Sequence, residues 1–233
     1  MSRKISFAPG EYYHLYNRGF DKRQTFLDRR DHIRFLVSLY FANSRQPFYP
    51  SDWLGENIED VFKFVSINFS NRLIDIGAYC LMPNHFHLLV REKEDGGISR
   101  AIHKLLTGYT MYFNKKYQRT GGLFESTFKA QHIDNDHYLH YLLAYIHLNP
   151  VKTISHDDWE NKIIKNKATA REFLDRYDFS SYHHYIGQSK YHNNLLSIAN
   201  FPDYFKTVKD FDHFINEWIN FDNNLDKSEL VTK

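Results

Sequence analysis

Two strand-like runs, IDIGAYCLM and HFHLLVREK, meet across the dipeptide Pro83-Asn84. A connection that tight makes them neighbouring strands, and their apolar content places them in the middle of a sheet. Upstream, residues 11–18 (EYYHLYNR) alternate as a strand does: Tyr12, His14, Tyr16 and Arg18 project to one face, Tyr13, Leu15 and Asn17 to the other, and Gly19 ends the run. Asp28 is a fitting N-cap for a helix over 29–43 with an apolar stripe of Ile33, Leu36, Val37, Tyr40 and Phe41. Downstream, Asp95-Gly96-Gly97 breaks the chain before a helix over 98–117, striped by Ile98, Ile102, Leu105, Tyr109, Tyr112 and Phe113. Gly121-Gly122 turns into the strand-like FESTFKAQHI, after which Asp134 or Asn135 caps a helix that must stop near Asn149, because Pro150 follows. Strand, helix, two strands, helix, strand, helix predicts an α+β fold: a ferredoxin-like antiparallel sheet with packed helices.

With 233 residues the chain suits one main domain and an appendage. The main domain is expected over 1–150, with residues 44–70 as an insertion: a loop over 44–55 marked by Pro47, Pro50 and Gly55, then a short helix near 57–67. Residues 151–233 read as a C-terminal extension, partly helical, packed on the domain and ending in a polar tail. The first residues lack the apolar core of a signal peptide, and no stretch approaches the roughly 20 apolar residues of a membrane span, so a cytoplasmic chain without a membrane partner is expected.

Cys80 is the only cysteine, which excludes an internal disulfide and a thiolate-rich zinc site, so any metal must use histidine, carboxylate or amide ligands. A formal net charge of +2 does not by itself argue for a polyanion partner, but the charge is uneven. Between Ser99 and Ala130, Arg100, Lys104, Lys115, Lys116, Arg119 and Lys129 face only Glu125, so a polyanion would meet the middle of the chain. Lysines on a helix are also commonly just a solvated face. The many Tyr and Phe could stack on single-stranded bases, although most aromatics fill cores.

Strand alternation points His85 and His87 to the same face with Leu89, and two adjacent imidazoles make half a metal site. Such a pair is more often structural or merely exposed, so its context decides. On the last helix, Tyr138, Tyr141, Tyr145 and Asn149 fall on one stripe, beside an apolar stripe of Leu139, Leu142, Leu143 and Ile146, with His140 and His147 roughly opposite. If the phenol row faces the histidine strand, the amide oxygen of Asn149 can complete the metal site, whereas His147 cannot reach it. The plain alternative is an amphipathic helix whose tyrosines fill space. Tyrosine, with a pKa near ~10, is a poor nucleophile at neutral pH, but transfer of a phosphoryl group to it becomes feasible when a divalent ion polarises the phosphate.

The strand YCLMPNHFHLLV, the helix end YIHLNPVK, the opening YHLYNRG and the late segment SSYHHYIG together resemble the single-tyrosine HUH transposases, and within them the REP-associated tyrosine transposases, over roughly residues 10–186. The resemblance implies the HUH nuclease/transposase-like fold, with 1–150 as the catalytic domain. It implies that His85 and His87 bind the metal across the hydrophobic spacer Phe86, that Asn149 is the third ligand, and that Tyr145 is the nucleophile, with Tyr138 and Tyr141 in reserve. By the same resemblance Tyr145 attacks single-stranded, hairpin-forming DNA, giving a 5'-phosphotyrosine and a free 3'-hydroxyl that allow strand transfer. Mg²⁺ or Mn²⁺ is implied, and imidazole ligands favour Mn²⁺. Arg18 joins the basic residues as a candidate DNA contact, because it shares a strand face with His14 and Tyr16.

Two other readings keep part of this picture: a catalytically silent repeat-DNA-binding protein, and a metal-dependent nuclease without a covalent step. The second needs carboxylates near His85 and His87, and the tyrosine face supplies none. A monomer is favoured over a dimer that exchanges the tyrosine helix, because the extended C-terminal part resembles the REP-associated branch.

Overall fold

The computed structural model describes residues 5–45, 71–154, 164, 166–188 and 195–220. Its elements are β1 (Tyr12–Arg18), α1 (Arg29–Ala42), β2 (Ile74–Met82), β3 (His85–Glu92), α2 (Gly97–Lys116), β4 (Lys129–Ile133), α3 (Asp136–Leu148), a 3-10 turn (Asn149–Thr153), α4 (Lys167–Arg176), α5 (Tyr182–Tyr185) and α6 (Val208–Asn220). The four strands form one sheet in the order β2-β3-β1-β4, and every pairing is antiparallel. Strand β3 thus inserts between β1 and β2, the split arrangement of the ferredoxin-like α+β fold expected from the element order.

The predicted caps hold. The Asp28 carboxylate accepts from Asp31 N–H at the start of α1, and Asn135 accepts from Tyr138 N–H at the start of α3. Pro150 ends α3 as expected, and the chain continues as a 3-10 turn. One expectation fails: of FESTFKAQHI only Lys129–Ile133 is a strand, and Phe124 touches the sheet through a single bridge to Gly19. Leu123, Phe124 and Phe128 all turn into one core, which a regularly alternating strand cannot do. The helix expected near 57–67, most of the 44–55 loop, Trp159 and the polar tail lie outside the described residues.

The sheet separates two cores. On one side Tyr13, Leu15, Phe86, Leu88 and Val90 pack against α1 and α2. On the other, Cys80, Met82 and Leu89 pack against α3, α4, α5 and α6. Strand β2 contributes Ile74 and Ile76 to the first core but Ala78, Cys80 and Met82 to the second, although all five are even-numbered. The register shift between Ile76 and Ala78 explains this: a bulge at Gly77 resets the alternation, and a Cβ there would stand 2.8 Å from the Phe201 ring. The far edge of β2 is covered by Ser180 and Ser181, with Ser181 N–H donating to Tyr79 C=O at 2.9 Å, so the C-terminal region closes over the sheet.

Asn43 ties α1 to β2. Its buried side chain accepts from Leu73 N–H (3.1 Å) and Ile74 N–H (2.8 Å) and donates to Ile74 C=O (2.9 Å). Asn43→Ala leaves those three backbone groups without partners, and a loss of about 3 kcal/mol is expected in urea unfolding. A loss below about 1 kcal/mol would show that water replaces the amide.

Candidate active site

The register of β1 on β3 sets Tyr16 opposite His87 and Arg18 opposite His85, so the face that carries the two histidines also carries His14, Tyr16 and Arg18. Helix α3 lies over this face through Leu139, Leu142, Leu143 and Ile146. That seating turns the tyrosine row towards the histidines. The Tyr145 ring stands edge-on to His87 at 5.3 Å and to His14 at 6.0 Å, while Tyr141 and Tyr138 continue the row in stacked contacts of 6.1 Å each. Of the three tyrosines, Tyr145 is the one with ring contacts to the imidazoles.

Both histidines are held through Nδ1. His87 Nδ1 lies 2.9 Å from His14 Nε2, and His85 Nδ1 lies 2.6 Å from Asn84 Oδ1. With the His85 Nδ1–H donated to the Asn84 carbonyl oxygen, and that of His87 to His14, both Nε2 atoms keep their lone pairs, as metal ligation requires. Burial, reinforced by Lys152, pulls His85 down to about 4 and His14 down to about 3; burial also holds His87 well below the ordinary imidazole range. All three imidazoles are therefore neutral near pH 7, the state in which histidine binds metal.

Asn149 completes the group. It is 0% exposed, its Nδ2 donates to Tyr145 C=O at 3.2 Å, and its Oδ1 has no hydrogen-bond partner among the described residues. The side chain approaches both His85, whose pKa it raises, and Tyr145, whose pKa it lowers. A buried carbonyl oxygen without a donor, beside two neutral imidazoles, fits a hard divalent cation. No three-membered group of His, Cys, Asp or Glu able to hold a metal occurs among the described residues, so an amide is needed to complete such a set.

Two side chains at this site had been given no role. His14 was visible only as a face-mate of Arg18, and its contact with His87 depends on strand pairing. Lys152, from the YIHLNPVK segment, places Nζ 3.3 Å from the Tyr145 phenol oxygen and 4.5 Å from its ring centroid. Burial lowers Lys152 to about 8 and raises Tyr145 above the usual phenol value.

The basic residues divide between the two faces of the sheet. Arg18 is exposed at the site face and pairs with Glu125 at 2.9 Å, and exposed Lys129 lies opposite Tyr16 on the edge strand β4. Arg100, Lys104, Lys115 and Lys116 belong to α2, across the sheet from α3. Arg100 pairs with Glu94, Lys104 donates to Ser44 C=O at 2.9 Å, and Lys116 binds Asp28 and Asp31 at 2.8 and 2.7 Å. Lys115 is exposed, and Arg119 lies 5.7 Å from the Phe113 ring. Among the sequence candidates, then, Arg18 and Lys129 share a face with the histidines. The other two helix histidines stand apart, as expected: His147 is fully buried between Leu143 C=O (2.8 Å) and Ser181 Oγ (2.7 Å), and His140 packs on Phe214.

Residues 40–149, a stretch that includes His85, His87, Tyr145 and Asn149, match the family described as "Transposase IS200 like". The resemblance to single-tyrosine transposases carried by the motifs is met over that stretch. The solved structure of a REP-associated tyrosine transposase bound to a REP hairpin is similar at 14% identity and a TM-score of 0.49, covering 89% of this chain and 93% of that one. No curated protein matches the chain. Among the described residues no helix is long and apolar enough to cross a membrane.

The two classes of histidine are separable by stability. His147→Ala strands a buried hydroxyl and carbonyl and is expected to cost about 2–4 kcal/mol in urea unfolding. His85→Ala, at the rim of the site, is expected to stay within about 1 kcal/mol of the parent. Equal losses would mean that His85 is a structural residue.

Proposed function

We propose that the chain cuts and rejoins single-stranded, hairpin-forming DNA through a covalent 5'-phosphotyrosine on Tyr145, aided by a divalent metal held by His85, His87 and Asn149. The observation that carries this reading is the partnerless Asn149 oxygen beside two neutral imidazoles, with Tyr145 packed over them. It accounts for an arrangement that a purely structural cluster would not keep, since a buried acceptor without a donor costs about 1–3 kcal/mol. The IS200-like match over residues 40–149 supports the transposase class.

When bound, Mg²⁺ or Mn²⁺ would supply Lewis-acid polarisation of the scissile phosphate. The chain's own groups do the rest. Tyr145 provides the nucleophilic oxygen, and its helix fixes that oxygen by packing rather than by loop closure. His14 and Asn84 orient the two imidazoles through Nδ1. Arg18 and Lys129 lie where a strand entering the site would present its phosphates, and the exposed Arg18–Glu125 pair is weak enough to be exchanged for one. Because the phosphotyrosine retains the energy of the cleaved ester, a second 3'-hydroxyl can take over the strand without ATP. All four site residues come from one chain, so we take the active form to be a monomer.

A labelled pool of single-stranded hairpins with randomised flanks, incubated with Mn²⁺, tests the chemistry. A denaturant-stable protein–DNA adduct is expected, absent in Tyr145→Phe and mapped to the Tyr145 peptide by mass spectrometry. Free cut products without an adduct would favour the non-covalent nuclease, and binding without cutting the silent repeat-binding protein. The metal assignment has its own readout: calorimetric Mn²⁺ affinity in the absence of DNA should fall at least about tenfold in Asn149→Ala and in His87→Ala. Light scattering should give a monomer, and a stable dimer would overturn that part of the reading.

A further inference from the structure

The proposed reaction obliges Tyr145 to lose a proton, in a site where burial favours the neutral phenol. The imidazoles are poorly placed to take it. His85 and His87 have their Nδ1 atoms occupied by Asn84 and His14, their remaining nitrogens are those the metal reading uses, and the nearest of the rings meets Tyr145 edge-on at 5.3 Å. Lys152 is in hydrogen-bond range of the phenol oxygen, at 3.3 Å. The 3-10 turn that follows α3 brings it back over the ring of the residue seven positions earlier.

Resting on the proposed function, we propose that Lys152 is the catalytic proton acceptor for the Tyr145 phenol. As the phenol oxygen attacks phosphorus, the O–P bond forms and the phenol proton passes to the Nζ lone pair. The bond from phosphorus to the 3'-oxygen breaks, and that oxygen takes a proton from solvent to leave as the 3'-hydroxyl. In rejoining, the incoming 3'-hydroxyl loses its proton to solvent and the Lys152 ammonium returns the first proton to the departing phenol oxygen. Between the two steps, the charge on Nζ sits beside the phosphotyrosine.

The surroundings suit this role. Burial brings Lys152 down to about 8, close enough to neutral pH for a useful fraction of free amine, which is the condition for an efficient general base. The titratable and charged groups facing it are the Tyr145 phenol from α3, the Cys80 thiol from β2, His14 from β1, and His85 and His87 from β3. The thiol is held protonated by burial and the imidazoles neutral, so none of them supplies a charge near pH 8.

Two measurements on the full chain test the inference. In ¹³Cε-lysine NMR without metal or DNA, the resonance lost in Lys152→Met should titrate near pH 8, well below the other lysines. A midpoint at the ordinary lysine value would overturn the proposal. In adduct formation on the hairpin pool, the parent rate should rise about tenfold per pH unit up to about pH 8 and then level off. Lys152→Arg, which keeps the charge but not the basic lone pair, should lose at least about a hundredfold in rate along with that break. An Arg variant with parental rate and profile would overturn the proposal. Lys152→Gln, checked for folding by circular dichroism, guards against a collapsed variant. If the parent forms no adduct at all, the proposed function fails, and the NMR midpoint still decides whether Lys152 is poised as a base.

Discussion

Seating α3 on the sheet through Leu139, Leu142, Leu143 and Ile146 fixes the rotation of that helix about its own axis, and the rest of the site follows from that rotation. A helix advances about 100° per residue, so locking the leucine stripe leaves one direction for Tyr145 and Asn149. Pro150 then stops the helix and lets the following turn double back, carrying Lys152 over the Tyr145 ring. A nucleophile, an amide oxygen and an amine thus reach one small volume from eight consecutive residues. The opposite side of the same helix is kept buried by His147 and its two hydrogen bonds, a structural histidine with no part in the site.

The floor of the site is built on a different principle. Strands β1 and β3 are the two central strands, and their pairing places imidazoles where water is excluded; His14 and His87 are 6% and 5% exposed. Burial disfavours charge, so these groups stay neutral, and neutrality lets one ring accept from the next. Polar groups held this way rigidify a site because each has a single workable arrangement. The unpartnered oxygen of Asn149 is the exception, and buried polar atoms without partners concentrate where a structure is built to receive something else.

Much of this was legible beforehand because it depends on local rules. Side-chain alternation put His85 and His87 on one face; helical periodicity put Tyr138, Tyr141, Tyr145 and Asn149 on another; Asp28, Asn135 and Pro150 marked helix ends. What periodicity could not do was choose among the three tyrosines, and that choice came first from resemblance. Contact geometry now supports Tyr145 on its own terms. The basic run between Arg100 and Lys129 shows the opposite case. It is continuous in sequence, yet α2 carries most of it to the far side of the sheet, where Lys116 is committed to Asp28 and Asp31.

The sequence by itself determined the elements, their order and the faces on which the candidate groups stand, because turn chemistry, capping and periodicity act over a few residues at a time. Tertiary structure alone decided which faces meet. The bulge at Gly77 resets the alternation of β2, the pairing of β1 with β3 makes His14 a partner of His87, and the turn after Pro150 brings Lys152 to Tyr145. Each of these depends on strand pairing or on packing between segments distant in sequence or beyond a helix end, and such contacts are set by the competition for burial across the whole domain.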